Sequence, residues 1–188
     1  MMFPDFLSDD AVQVAPRLLG CELIMDLPEG RVRARIVETE AYDESDAASH
    51  SYRGKTLRTE VMFGEAGHLY VYFTYGMHYC GNVVTGQTGS GQGVLIRAVE
   101  PLEGEEILAT RRHKSGVEVT NGPAKWCQAF GITKAWNGHD LREAPLRLWD
   151  APLRPDERII STKRIGIKKA VDELRRFYIA QNPYISRS

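Results

Sequence analysis

The sequence predicts an antiparallel α+β domain. Segments that read as strands outnumber those that read as helices, and the connections between them are short. The 188 residues hold no internal repeat, no low-complexity stretch and no linker long enough to divide them, so one domain over 1–188 is expected. A chain of that length buries a core without needing disulfides or metal.

The elements follow in order. Ser8 to Leu19 reads as a helix capped by Ser8 or Asp9, which Pro16 is expected to kink or split. "CELIMDL", "PEG" and "RVRARIVETEAY" read as strand, tight turn and strand. In the second of these strands Arg31, Arg33 and Arg35 share one face and Val32, Ala34 and Ile36 the other. "HLYVYFTYGMHYCGNVV" reads as two aromatic-rich strands around a turn at Tyr75-Gly76-Met77, and "GVLIRAVEP" as a further strand. "LEGEEILATRR" reads as a helix. "NGPAKWCQAFG" is a short helix with Asn121 as cap, Pro123 in its first turn and Gly131 closing it. "LRLWD" and "RRFYIA" read as late strands.

Composition narrows the function classes. The chain is 43% apolar and 26% charged, as ordinary globular proteins are. It holds no run of about 18 apolar residues, so no membrane span is expected. The opening Met1-Met2-Phe3-Pro4-Asp5-Phe6 lacks the regions of a signal peptide. Three widely spaced cysteines and five scattered histidines predict reduced thiols in a cytoplasm, no disulfide frame and no metal site. A net charge of −1 argues against a nonspecific coat for nucleic acid, but leaves room for a local basic face. Arg53, Lys55 and Arg58 form one basic cluster; Lys163, Arg164, Lys168 and Lys169 form another. Both also fit a solvated surface.

Two constellations could carry chemistry. Parity carries Glu38, Glu40 and Tyr42 onto the face of Val32, Ala34 and Ile36, so carboxylates continue the buried side of a strand. Burial makes a carboxylate a better proton acceptor, which suits a general base. The competing reading, a strand end already in water, stays open. His50 titrates near neutrality and could orient or protonate a ligand, or be an ordinary loop histidine. Tyr70, Tyr72, Tyr75 and Tyr79 form the second group. Tyrosines in hairpins usually pack, but Tyr75 sits beside Gly76 at the tip, where an aromatic makes a wedge between stacked bases. Asn82 and Arg97 are polar positions inside apolar strands. Arg97, on the parity of Leu95 and Val99, needs a partner if buried. "GSGQG" lacks the strand–loop–lysine arrangement of a phosphate loop and reads as a flexible turn.

Together the motifs "RIVETEAY", "SHSYRGKT.RTEVMF", "GHLYVYFTYGMHYC.NVV", "GVLIRAVEPLEG", "NGPAKWCQAFGI", "RIGI" and "RFYIAQNPYIS" span Leu18 to Ile185. In that order they resemble the alkyladenine (3-methyladenine) DNA glycosylase family in its bacterial form. The chain departs from the family at Pro16 and at Ala170–Leu174, in the approach to "RFY". The resemblance implies a curved antiparallel β-sheet with a protruding, DNA-inserting β-hairpin, working without metal or cofactor. It implies Glu40 as general base, with Arg97 helping to hold the water and the nucleotide's phosphate. Tyr42, His50 and Tyr72 would stack on an extruded base, and Asn82 would crowd the amino group of normal guanine. Tyr75 would enter the minor groove. Arg53, Lys55, Thr56, Arg58, Met62, Lys163 and Arg164 would contact DNA. The implied partner is double-stranded DNA containing damaged purines, bound by a monomer in the cytoplasm.

The implied reaction turns the target nucleotide out of the duplex and hydrolyses its glycosidic bond with a Glu40-activated water. A cationic alkylated purine is already a good leaving group, whereas a neutral one such as hypoxanthine needs a proton from a donor the sequence does not identify. No lysine falls in the motifs assigned to the pocket, so a Schiff-base route is not expected. Two other readings remain: a non-catalytic lesion-binding module, and an RNA- or nucleotide-binding domain of a transferase.

Overall fold

The predicted first hairpin forms as β1 (Glu22–Leu27) and β2 (Gly30–Tyr42), paired antiparallel with Leu23 opposite Ala34. The computed structural model describes residues 2–74 and 76–186. The aromatic hairpin follows as β3 (His68–Thr74) and β4 (His78–Val84), closed by a Thr74–His78 pair just below its tip. Tyr75, the expected wedge, lies outside the described residues.

Next in the sheet come β5 (Gly93–Glu103), β6 (His139–Asp140), β7 (Leu146–Trp149), β8 (Ile159–Thr162) and β9 (Arg176–Ile179). Among the described residues these strands make one curved antiparallel sheet in the order β6-β3-β4-β5-β2-β1-β7. Strand β2 is its axis. One edge pairs with β5; the other pairs with β1 at its start and with β9 at Glu38–Glu40. Strand β8 joins the sheet through β9.

Three helices pack on this sheet, and their ends differ from the sequence reading. Helix α1 (Ala11–Arg17) begins after Asp10, not at Ser8 or Asp9. Its first N–H donates to the Gln92 side chain at 2.8 Å, so a residue of "GSGQG" does the capping. Pro16 neither kinks nor splits the helix, because α1 ends one residue later. "GSGQG", expected to be a flexible turn, is packed against its neighbours. Ser51 Oγ donates to the Gly91 carbonyl at 2.6 Å, and a Cβ at Gly91 would lie 2.5 Å from the Phe63 ring.

Helix α2 (Glu105–Arg112) starts later than "LEGEEILATRR" suggests, since β5 runs on to Glu103. Gly104 makes the change of direction at φ 71°, where a Cβ would meet the Arg31 carbonyl at 2.7 Å. Helix α3 (Pro123–Phe130) is preceded by Gly122 as cap. Asn121 instead accepts from Lys125 Nζ at 2.7 Å. Gly131 closes the helix in the left-handed conformation, as expected.

The core lies between α1, α3 and one face of the sheet. Trp126 is completely buried and donates Nε1–H to the Ile96 carbonyl at 2.8 Å, with Phe130 edge-on to it. Burying such a side chain contributes about 1.5–3 kcal/mol, and its satisfied N–H avoids a desolvation cost. Cys21, Cys80 and Cys127 are free and buried. Among the described residues no helix is long and apolar enough to cross a membrane.

One irregularity decides the site. The pairing of β2 with β5 slips between Ile36 and Glu38 and again between Glu38 and Thr39. Ile36 and Val37 both enter the core, followed by Ala41, and Thr39 donates to the Ala15 carbonyl of α1 at 2.9 Å. Alternation therefore inverts at Val37. Glu38, Glu40 and Tyr42 lie on the face opposite Val32, Ala34 and Ile36, contrary to the parity reading. Strand β5 mirrors this: Val94, Ile96 and Ala98 face the core, Leu95 and Arg97 face away from it, and Val99 returns to it.

Candidate active site

The inverted face of β2 and the same face of β5 form the floor of a cavity of about 490 Å³. Glu40, Tyr42, Leu95 and Arg97 come from these strands, Tyr72, Thr74, Cys80 and Asn82 from the β3–β4 hairpin. Ala47–His50 and Ile165–Lys169 supply the remaining walls, with Met62 and Pro123.

Glu40 is fully buried. Its Oε1 accepts from the Ile165 backbone N–H at 2.8 Å and lies 3.2 Å from Arg97 Nη1. Its Oε2 accepts from the Tyr42 hydroxyl at 2.8 Å. Glu38, equally buried, does not line the cavity. It accepts from Arg97 Nε at 2.9 Å, Arg176 Nε at 2.7 Å, and both the backbone N–H and the hydroxyl of Ser186. Every bond to Glu38 is therefore a strut, whereas Glu40, as buried, is the one of the two that lines the cavity.

Arg97 has its hydrogen bonds taken up in the same way. Nε goes to Glu38, Nη1 to Glu40 and Nη2 to Ser186 Oγ at 3.1 Å. It holds the two carboxylates in place.

The upper walls are aromatic. His50 meets Tyr72 edge-on at 4.5 Å, and its Nδ1 pairs with the Tyr70 hydroxyl at 3.1 Å. Burial, and then the charge of Arg58, push the imidazole down to about 4. His50 is also exposed at the cavity mouth, which tempers the shift by solvent screening but keeps its direction. This downward shift favours the neutral ring at pH 7, which speaks against His50 as a proton donor. Burial and then the Glu40 charge push the Tyr42 phenol up; burial does the same to Tyr72. Asn82 donates Nδ2–H to the Tyr70 carbonyl at 3.2 Å and keeps its other amide edge for the cavity.

The family model for methylpurine-DNA glycosylase matches residues 5–183. The chain belongs to the methylpurine-DNA glycosylase family. A protein from Carboxydothermus hydrogenoformans named "Putative 3-methyladenine DNA glycosylase" is 48% identical over 191 residues, covering 100% of both chains. Proteins of the same name from Methanoculleus marisnigri and Methanocella arvoryzae are 47% and 46% identical, each over 97% of this chain and 96% and 94% of their own. The chain is thus a DNA glycosylase, a hydrolase, and the transferase-domain reading is set aside.

On this glycosylase the remaining sequence-predicted residues separate into surface and interior. Arg53, Lys55, Thr56 and Arg58 are exposed on one loop, braced by the Thr56 N–H bonding Thr59 Oγ1 at 2.9 Å. Lys163 is exposed and pairs with Asp172 at 2.5 Å. Two residues that the resemblance places against DNA are not at the surface. Met62 is buried and lines the cavity. Arg164 is buried against Asp46, donates to the Ala41 carbonyl at 3.0 Å and lies over the Tyr42 ring at 4.7 Å. It is a structural cation, because a charge removed from water must be paired.

Sequence reasoning also missed contributors. The Ile165 N–H, from "RIGI", and Arg176 and Ser186, from "RFYIAQNPYIS", orient the two glutamates. Those motifs were visible, but a backbone donor leaves no mark in residue type. Lys168 and Lys169 line the mouth, which corrects the expectation of a lysine-free pocket.

Proposed function

We propose that this glycosylase turns alkylated or deaminated purines out of duplex DNA and hydrolyses their N-glycosidic bond with a water activated by Glu40, leaving an abasic site. The observation that carries the reading is the fully buried Glu40 in the lining of an aromatic-walled cavity larger than a purine base. The 3-methyladenine in the relatives' names supports the same substrate class.

In this reading Oε1 is saturated by Ile165 and Arg97, so Oε2 takes the proton from water. The water oxygen bonds to C1′ as the bond to the purine breaks, through an oxocarbenium-like sugar, and the bonding electrons leave on the base. Tyr42, His50 and Tyr72 flank the base. Electron-rich rings favour cationic, alkylated purines by cation–π attraction. A neutral imidazole at His50 adds no opposing charge. Asn82 crowds the amino group of normal guanine, and Tyr75 fills the space the flipped nucleotide leaves. The loop of Arg53, Lys55, Thr56 and Arg58, with Lys163, holds phosphates of DNA bound by one protein monomer in the cytoplasm.

The test is base release from duplexes each carrying a single 3-methyladenine, 7-methylguanine, ethenoadenine or hypoxanthine. Release of at least one base with an intact abasic strand is expected. Failure on every alkylated or deaminated purine overturns the reading.

A further inference from the structure

A neutral purine leaves slowly unless a ring nitrogen gains a proton as the bond to C1′ breaks. The cavity contains several groups with a proton to give, and most are unsuited. The Tyr42 hydroxyl is spent on Glu40 at 2.8 Å, and burial makes both it and Tyr72 weaker acids than a free phenol. Burial pushes the Cys80 thiol up to about 11, and a thiol is a weak hydrogen-bond donor; the Tyr70 hydroxyl is engaged with His50. His50 is held neutral, with Nδ1 engaged by Tyr70. Arg97 is bound by both glutamates, and a guanidinium does not release its proton in proteins.

What remains are two ammonium groups, on Lys168 and Lys169, exposed at the mouth of the same cavity. They sit on a strap that the site itself anchors. At one end the Ile165 N–H is bonded to the Glu40 carboxylate, and Arg164 is tied to Ala41 and Asp46. At the other, Ala170 accepts from Arg164 Nη2 at 3.5 Å and adopts φ 48°, a left-handed conformation that costs an alanine energy. The strap thus carries both the backbone donor to Glu40 and a pair of cations lining the same cavity. A charged N–H is a stronger hydrogen-bond donor than a neutral hydroxyl or thiol.

We propose that the Lys168 and Lys169 pair is the acid side of this site, one of the two ammonium groups protonating a ring nitrogen of a neutral leaving purine. The inference rests on the glycosylase reading above and adds to it a proton donor, needed only for the neutral deaminated or etheno purines. The step balances. The water oxygen bonds C1′ and its proton passes to Glu40. The C1′–N bond breaks with its electrons on the purine, and the ammonium proton neutralises that nitrogen. The amine and the protonated Glu40 then exchange protons with solvent. An alkylated purine that already carries its positive charge needs no such donor.

The experiment is single-turnover release of hypoxanthine and of 7-methylguanine from otherwise identical duplexes by wild type, Lys168→Met, Lys169→Met and the double variant. Both lysines are exposed, so a thermal melt serves only as a check on folding. In the double variant the ratio of hypoxanthine to 7-methylguanine release is expected to fall about 10²-fold, the lower end of what a general acid supplies. The single variants then assign the donor. An unchanged ratio overturns the inference, whether both rates fall together, as loss of a phosphate contact would give, or neither falls. A wild type that releases 7-methylguanine but no neutral purine also overturns it, and leaves the glycosylase reading standing. A wild type that releases neither, nor any other lesion base, overturns both.

Discussion

Replacing Arg164 by methionine separates the interior from the DNA-binding surface. The side chains of Arg164 and Asp46 are both fully buried. The guanidinium donates to Asp46 Oδ1 at 3.0 Å and the Ala41 carbonyl at 3.0 Å, and covers one face of Tyr42. Methionine fills much of the same volume but leaves the Asp46 carboxylate with the Ala48 N–H at 2.9 Å and a distant Arg175 at 3.9 Å. Stranding one partner of a buried ion pair costs about 3–5 kcal/mol. Against a net stability of about 5–15 kcal/mol for a folded domain, that is a large fraction. At about 2–4 °C per kcal/mol for a chain of this size, Tm should fall by roughly 6–20 °C. The assay is a thermal melt at pH 7 paired with lesion-DNA affinity measured across salt. The salt slope should not change, because the Arg164 side chain is fully buried and paired with Asp46. An unchanged Tm together with a slope shallower by about 0.9, the signature of one lost phosphate contact, refutes the reasoning. Adding Asp46→Asn should restore part of the loss, since it removes the stranded charge.

Other consequences follow. Charge reversal at the exposed Lys55 should weaken binding to lesion and undamaged duplexes alike and most at low salt; affinity that is flat with salt contradicts the basic face. Hydrogen bonds from Arg35 hold the Glu157 carboxyl below the usual glutamate value of 4.5. A depressed carboxylate stabilises the fold above its unfolded pKa and loses that contribution as pH falls through the lower folded value. Glu157→Gln should therefore flatten the acid limb of the stability curve below about pH 4.5, and an identical limb in wild type and variant counts against the pair. Cys21 and Cys127, which are buried and line no part of the cavity, with Cys21 pushed up to about 12 by burial, should resist a thiol reagent at pH 8 until the protein is denatured. Rapid labelling of either of them in the native state contradicts the packing.

Much of the fold was legible because strand periodicity and turn residues are local. The hairpins at β1–β2 and β3–β4 and the Gly131 stop of α3 needed only neighbours in sequence. The faces of β2 were harder. Parity placed Glu38, Glu40 and Tyr42 on the wrong face, because one irregularity at Val37 exchanges the two sides. The signal was present: apolar positions change from even at Val32, Ala34 and Ile36 to odd at Val37 and Ala41. Arg164 was misread because nothing within a basic cluster distinguishes a solvated arginine from one paired to Asp46 118 residues away. Helix starts slipped where caps come from afar, as Gln92 does for Ala11.

The choice between the two glutamates is where the account is most exposed. Glu38→Gln is a poor control, because Glu38 holds Arg97 and Ser186, and its loss disturbs Glu40 indirectly. Glu40→Gln keeps the shape and can keep the bonds to Ile165 and Tyr42, but cannot take a proton from water. The decisive measurement is single-turnover base release by Glu40→Gln on a duplex whose lesion the wild type removes, with binding to the same duplex measured in parallel. The account predicts retained lesion binding and a rate lower by about 10²–10⁴-fold, the share of a general base. Release at the wild-type rate, or a borohydride-trapped protein–DNA adduct showing that an amine does the displacement, contradicts it.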